Sequence, residues 1–314
     1  MALVEQPIFL VGAERSGTTL LRLMLDHHPR IAFNLESEYL VSRIAPDGAY
    51  PDMAQYREWL RRDRVFQHRP FEIDPRLGFV ALVNDFLDQK RRRDAKPLVG
   101  ATVHHHFGRL RAIWPRAKYV YLYRDGRDVA ASVMRMGWAG NVYVAADRWL
   151  QAEAEWDALR PALERDQWIE VRYEELVAGP RAQLERICAF IGVAFSERMF
   201  DYVRDSTYAA PDPRLNYQWR SGMRKRDVQR LEEKLGPRLV TRGYELSGYP
   251  RIALSALARR RLHLQSRLLA FRFRLSRYGL VLTLQEALAR RLGMARAHRS
   301  ALRRIDRIVD ANLK

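Results

Sequence analysis

An apolar run that ends in a glycine-bounded loop constrains this chain more than any other feature. Residues 8–19 read IFLVGAERSGTT. A short apolar run feeding a glycine loop and then a helical pattern is what a buried parallel strand, its turn and its following helix require. Phosphate-binding loops follow the pattern G-x-x-x-x-G-K-[ST]. Their backbone N–H groups cradle phosphates, the lysine reaches the β- and γ-phosphates, and the hydroxyl binds Mg²⁺. Gly12 and Gly17 keep the glycine spacing and Thr19 supplies the hydroxyl, but Thr18 stands where the lysine belongs. The amide donors and the N-terminus of the next helix remain, so the loop can still hold an anion. It lacks the group that grips a terminal nucleotide phosphate. A cation sits inside the loop instead, at Arg15, and Ser16, Gly17, Thr18 and Thr19 crowd the helix start. Backbone donors, hydroxyls and a fixed cation together suit an anion receptor. A tight strand-to-helix turn with no ligand is the plainer alternative.

Further strand signals lie at 98–103 (LVGATV), 118–123 (KYVYLY) and 168–176 (WIEVRYEEL), the last turning into a short acidic segment. Helical spacing runs from Gly17 to near Pro29, then over residues 52–64, 76–92, 127–136, 143–163 and 181–191. Strands alternating with helices predict an α/β fold: a central parallel sheet flanked by helices in three layers. Residues 30–97 form an irregular, aromatic- and arginine-rich insert with loop signals at PDG (46–48), Pro51, Pro70 and Pro75. This insert is expected to shape an acceptor pocket.

Charge divides the chain. The formal net charge is +18 over 314 residues, and residues 251–314 alone hold 16 Lys and Arg against 3 Asp and Glu. A domain over 1–250 followed by a basic helical extension over 251–314 is therefore expected. The extension reads as two or three helices, broken near Tyr278–Gly279 and at Gly293. The single cysteine, Cys188, falls on the apolar stripe of a helix with Leu184, Ile187 and Ile191 and reads as a core residue. No window of about 18 uncharged apolar residues occurs, so no membrane-spanning helix is expected. MALVEQ passes straight into the first strand without a charged leader pattern. A soluble cytoplasmic protein is the reading, with contact at a membrane periphery left open.

Two more clusters bear on chemistry. YVYLYRDGRDVAASV (119–133) places Arg124 at a strand's carboxyl end and Ser132 in the next helix, where the two could share a phosphate. The same stretch also reads as a helix start with surface ion pairs, and that is the expectation for Asp125, Arg127 and Asp128. VRYEEL (171–176) puts Tyr173 just past a strand, as support for an adenine ring or as a core-edge tyrosine.

In order and spacing, IFLVGAERSGTTLL, YVYLYRDGRDVAAS and VRYEELV resemble the sulfotransferases that use 3′-phosphoadenosine 5′-phosphosulfate (PAPS). The resemblance spans residues 7–246, and RSGTTLLRLMLDHHP (15–29) is most similar to the bacterial and tyrosylprotein branches. It implies that Arg15 lies by the bridging and sulfuryl oxygens and that Ser16, Gly17, Thr18 and Thr19 line the 5′-phosphate. It further implies that Arg124 and Ser132 hold the 3′-phosphate and that Tyr173 meets the adenine. Arg220, in NYQWRSG (216–222), would belong to the late basic segment that closes the site. PAPS would be the co-substrate, with no metal. Transfer to a hydroxyl, less readily to an amine, needs two groups held in line and spreading negative charge stabilised.

The tyrosylprotein branch places a catalytic glutamate where this chain has Glu36, and Glu38 is its close rival. His104, in GATVHHH (100–106), is the second candidate for the base, since many sulfotransferases use a histidine. Three adjacent histidines on a strand would alternate faces and chelate a metal poorly. The lysine that other relatives carry in this region is missing. The competing readings are a P-loop kinase, which lacks its lysine here, and a nucleotide-binding module that docks through the basic tail. The acceptor is a small molecule, carbohydrate, lipid or peptide. The tail reads as a solvated helix face, a homodimer contact or an anionic membrane surface, and no motif for reading nucleic acid is present.

Overall fold

The computed structural model describes residues 4–292 and, beyond them, 294, 297, 298, 300–302, 304, 305 and 308. In chain order the elements open with β1 (Ile8–Val11), α1 (Thr18–His27), β2 (Ile31–Glu36), α2 (Met53–Leu60), α3 (Arg64–His68) and α4 (Phe79–Arg93). Next come β3 (Leu98–Val103), α5 (Leu110–Ile113), β4 (Lys118–Tyr123), α6 (Gly126–Arg135), α7 (Val142–Ala145) and α8 (Asp147–Leu159). Then follow β5 (Trp168–Arg172), α9 (Tyr173–Ala178), α10 (Pro180–Ile191), α11 (Tyr202–Asp205) and α12 (Trp219–Gly222). The chain continues through α13 (Lys225–Thr241), α14 (Ala256–Tyr278) and α15 (Leu280–Arg291). The break at Gly279 matches the expected one; Gly293 lies outside the described residues.

By compactness the chain divides into two units, Met1–Asp125 with Arg148–Gln218, and Gly126–Asp147 with Trp219–Lys314. The first unit holds a five-stranded sheet in the order β2-β3-β1-β4-β5. Every pairing is parallel, as the alternating pattern predicts. Along β1 the side chains alternate between two cores. Phe9 and Val11 enter one with Leu82, Val83 and Phe86 of α4 and Trp156 of α8. Ile8 and Leu10 enter the other with Leu21, Met24 and Leu25 of α1 and Leu184, Ile187 and Cys188 of α10. A strand buried on both faces reads as an unbroken apolar run, which is why IFLV was legible.

The edge strand β2 falls in the 30–97 insert, where the sequence carries loop and helix signals but no strand signal. Its register against β3 slips between Asn34 and Glu36, leaving Glu36 opposite Thr102. Such an irregularity re-aims a side chain, and it occurs here at the strand's carboxyl end.

In the second unit, α14 turns Leu262, Ser266 and Ala270 inward. Ser266 Oγ accepts from Gly140 N–H at 2.9 Å, and Asn141 Nδ2 donates to the Leu262 carbonyl at 2.7 Å. Arg127 is buried, with its Nη1 2.6 Å from Glu232 Oε1 and its guanidinium 3.7 Å from the centre of the Trp219 ring. Trp219 N–H donates to Asp128 at 2.9 Å. In the first unit, Asp125 is likewise fully buried. The expectation of surface ion pairs at Asp125, Arg127 and Asp128 is therefore wrong: their partners lie far along the chain, beyond the reach of local pattern. No helix among the described residues is long and apolar enough to cross a membrane.

Candidate active site

Two glycines set the shape of the loop after β1. Gly12 has φ 145°, and a Cβ there would stand 2.1 Å from the Leu122 carbonyl oxygen on β4. Gly17, with φ 94°, immediately precedes α1, and a Cβ there would stand 2.3 Å from the Tyr173 ring. Between them Arg15 adopts φ 69°, a left-handed conformation that costs a side-chain-bearing residue about 1–3 kcal/mol. Ser16 N–H donates to the Ala13 carbonyl at 3.2 Å, fixing the turn. Ser16 is fully buried, and its Oγ has no hydrogen-bond partner among the described residues. An unsatisfied buried hydroxyl costs about 1–3 kcal/mol, a cost that an anion bound at the loop would relieve. No side chain caps the start of α1, so that helix end stays available to an external acceptor. Thr18 is buried and Thr19 half-buried.

The second and third sequence clusters meet this loop. Tyr173, the first residue of α9, packs against Gly17, and the Arg124 guanidinium lies 4.2 Å from the centre of its ring. Arg124 Nη2 donates to the Leu215 carbonyl at 2.8 Å, and the Arg124 carbonyl accepts from Trp149 Nε1 at 2.9 Å. Asp125 N–H donates to Glu174 at 3.0 Å. The carboxyl ends of β1, β4 and β5 thus bring the loop, the arginine and the tyrosine to one place, where open α/β sheets bind ligands.

Glu36, Glu38 and His104 form a group beside the loop. His104 is buried just beyond β3, with Nδ1 2.9 Å from the Gly12 carbonyl. A carbonyl only accepts, so Nδ1 carries the proton and Nε2 of the neutral ring is the basic nitrogen. That Nε2 lies 4.0 Å from Glu36 Oε1, and the Glu36 side chain is 55% exposed. Glu38 Oε1 accepts from His104 N–H at 3.0 Å. Burial raises the Glu38 carboxyl above its ordinary range and the Glu36 charge adds to this, against the opposing pull of His104.

Sequence reasoning passed over Glu14, inside the loop. It pairs with His105 at 3.4 Å and with Arg148 of α8. Burial alone would raise its carboxyl, but the His105 hydrogen bond and the Arg148 charge outweigh that and hold it at about 2. His105 is raised in turn, chiefly by its hydrogen bond to Glu14. His106 is left-handed, with φ 57°, and its burial lowers its pKa. The three histidines lie past the last residue of β3, and each has a different environment. An acid amid the loop residues was the visible signal; its partner 134 residues away was not.

Ser132 and Arg220 belong to the second unit. Ser132 is buried on α6. Arg220, on α12, lies 3.7 Å from Glu245, and its guanidinium is 5.6 Å from the centre of the Trp219 ring.

The model of the sulfotransferase family matches residues 7–197, more than half of the chain. This chain belongs to the sulfotransferase family. Among curated relatives it is similar to protein-tyrosine sulfotransferase A of Caenorhabditis elegans, 24% identical over 206 residues, covering 62% of this chain and 52% of the relative. It is also similar to protein-tyrosine sulfotransferase 2 of Gallus gallus, 24% identical over 209 residues, covering 63% and 54% respectively. The chain thus spans about half the length of these relatives. Two solved structures share the fold. The sulfotransferase domain from the curacin biosynthetic pathway has a TM-score of 0.55 at 19% identity, covering 78% of this chain and all of that one. The sulfotransferase domain of the Synechococcus PCC 7002 olefin synthase has a TM-score of 0.54 at 24% identity, covering 77% and 97%. In this chain the glycine loop stands at the carboxyl end of the sheet's central strand.

Proposed function

We propose that this protein is an enzyme that transfers the sulfuryl group of PAPS to an acceptor hydroxyl, or less readily an amine. The observation that carries the reading is the meeting of the lysine-free loop, Tyr173 and Arg124 at the ends of β1, β4 and β5, with a buried Ser16 hydroxyl that has no partner among the described residues. When bound, PAPS supplies an activated sulfuryl group. Gly17, Thr18 and Thr19 donate to its 5′-phosphate, with Ser16 beside them. Arg15 neutralises charge on the leaving phosphate, a type of contact worth about 10²–10³-fold in rate. Arg124 binds the 3′-phosphate and Tyr173 supports the adenine. For Ser132, at the 3′-phosphate, and Arg220, in the closing segment, the reading rests on the sequence resemblance. These roles are assigned within residues 1–250.

Glu36 takes the acceptor's proton. Its carboxylate is open to an incoming molecule, whereas one Glu38 oxygen is committed to the His104 amide. His104, whose Nε2 lies 4.0 Å from Glu36, is its rival as base.

Calorimetry with PAPS, its desulfated product and ATP tests the reading. Tight binding of both 3′-phosphorylated nucleotides, without Mg²⁺ and without ATP binding, is expected; tight ATP binding instead would replace sulfuryl by phosphoryl transfer. An acceptor screen with labelled PAPS then identifies the substrate. Against that substrate, Glu36→Gln should lower kcat by about 10²–10⁴-fold, as loss of a general base does. Full activity in Glu36→Gln with loss in His104→Ala moves the base to the histidine.

A further inference from the structure

The helix α14 carries two apolar faces, and among the described residues only one of them is buried. Leu262, Ser266 and Ala270 turn inward. On the opposite side Leu257, Leu264, Leu268 and Phe271 recur at helical spacing and are between 40% and 58% exposed. Residues so spaced share one face of a helix. On α15, Val281, Leu284 and Leu288, with Leu292 just beyond, repeat the arrangement and are likewise exposed.

Charge identifies what this face meets. α14 contains seven arginines and no Asp or Glu. Arg260, Arg267 and Arg274 are exposed and form a file seven residues apart beside the leucine row. Arg261 and Arg272 flank its other side. Among the described residues none of these five lies within ion-pair distance of a carboxylate, whereas Arg259 pairs with Glu233 at 2.8 Å. A cleft of about 690 Å³ adjoins the start of the helix, where Lys225, Arg226 and Arg261 meet Ile252 and Leu254.

A second copy of the chain is a poor occupant. In a helix pair the residues flanking the apolar seam choose the partner by opposite charge, and here they would set arginine against arginine. A nucleic acid would satisfy the cations but gain little from a row of leucines. An anionic bilayer answers both, because apolar side chains enter the acyl boundary while flanking cations meet the headgroups. We infer that the outer face of α14 docks this protein on an anionic lipid surface, with α14 lying in the plane of the interface.

Sedimentation of the full-length protein with vesicles tests this. The protein is expected to bind vesicles of phosphatidylglycerol and phosphatidylcholine in equal parts, to ignore pure phosphatidylcholine, and to dissociate in high salt. Each cation near such a surface is worth about fivefold in partitioning, so Arg260→Gln, Arg267→Gln and Arg274→Gln together should weaken binding on the order of a hundredfold. Leu264→Gln with Leu268→Gln should abolish it, with the melting temperature showing that both variants fold. Equal binding to both vesicle types, or to neither, overturns the inference. So does a dimer that the leucine variant dissolves without any vesicle binding. Tighter binding to duplex DNA than to vesicles, unchanged in the leucine variant, overturns it in favour of nucleic acid.

Discussion

The loop after β1 and the helix α14 are both rich in basic and hydroxyl or apolar groups, yet they treat charge in opposite ways. Around the loop, Glu14 is answered by His105 and Arg148, and Glu174 by Arg172. Along α14, five arginines and four large apolar side chains face outward without a carboxylate among the described residues. Internally balanced charge fixes geometry and projects little field, which suits a site that must hold a ligand at set distances. Unbalanced charge of one sign fixes nothing within the molecule and attracts an opposite surface from outside. A precise receptor and a broad docking face thus differ in where their counter-charges lie.

The same side chain changed in both regions should give the largest contrast. Phe9→Ala empties a fully buried position in the core beneath the loop and should cost about 3–5 kcal/mol of stability in denaturant unfolding. Phe271→Ala, on the exposed row, should change stability by no more than about 0.5 kcal/mol; a cost like that of Phe9 would mean that the row is already covered. Glycine to alanine comes next. At Gly17 it combines a left-handed φ with a ring 2.3 Å from the new Cβ, so a loss of about 2–4 kcal/mol is expected, together with nucleotide binding. At Gly222, where a Cβ meets nothing within 4 Å, the change should be neutral or slightly stabilising. If Gly17→Ala binds nucleotide normally, Tyr173 and the loop are not one receptor.

Acid should separate the regions more gently. Glu14 is held at about 2, below its ordinary 4.5. A depressed carboxyl contributes stability above its unfolded value and loses it as pH falls through the folded one. The melting temperature should therefore drop between pH 4.5 and 2, and Glu14→Gln should flatten part of that drop. The raised pKa of His105 acts in the other direction: its contribution is present below the ordinary histidine value and fades as pH rises through the raised one. Neutral substitutions at Arg267 or Arg274 should leave both limbs of the profile unchanged.

The sheet was legible where a strand reads as an unbroken run of apolar and aromatic residues, as with IFLV and KYVYLY. β2 was not, because its Asn34 and its position after Pro29 suggest a loop. Within the fold, Asn34 Nδ2 donates to Ser37 and Tyr39, which makes a buried amide tolerable. The expected helix over 143–163 divides into α7 and α8, and that over 52–64 is divided where the Asp63 side chain caps α3. Over α13 the sequence gives little signal, since Gly236 and Pro237 fall inside it. Of the candidate site, the loop, Arg124 and Tyr173 were legible because glycines, a charge at a strand end and an aromatic mark themselves locally. Glu14–Arg148 and Arg127–Glu232 were not: a charge pair closed across a hundred residues leaves no periodicity to read.

The second unit is assembled from two stretches separated by more than seventy residues, and Gly140 finds its partner Ser266 only 126 residues later. At synthesis rates of about 5–20 residues per second, residues 126–147 wait roughly 6 to 25 seconds on the ribosome before α14 emerges to cover them. All five strands leave the ribosome before α14, and until it follows, Gly137, Gly140 and Asn141 lack the helix that they contact in the fold. A ribosome stalled short of α14 would leave that seat unfilled, so arrested chains should be cut by protease within 126–147 and released full-length chains should resist.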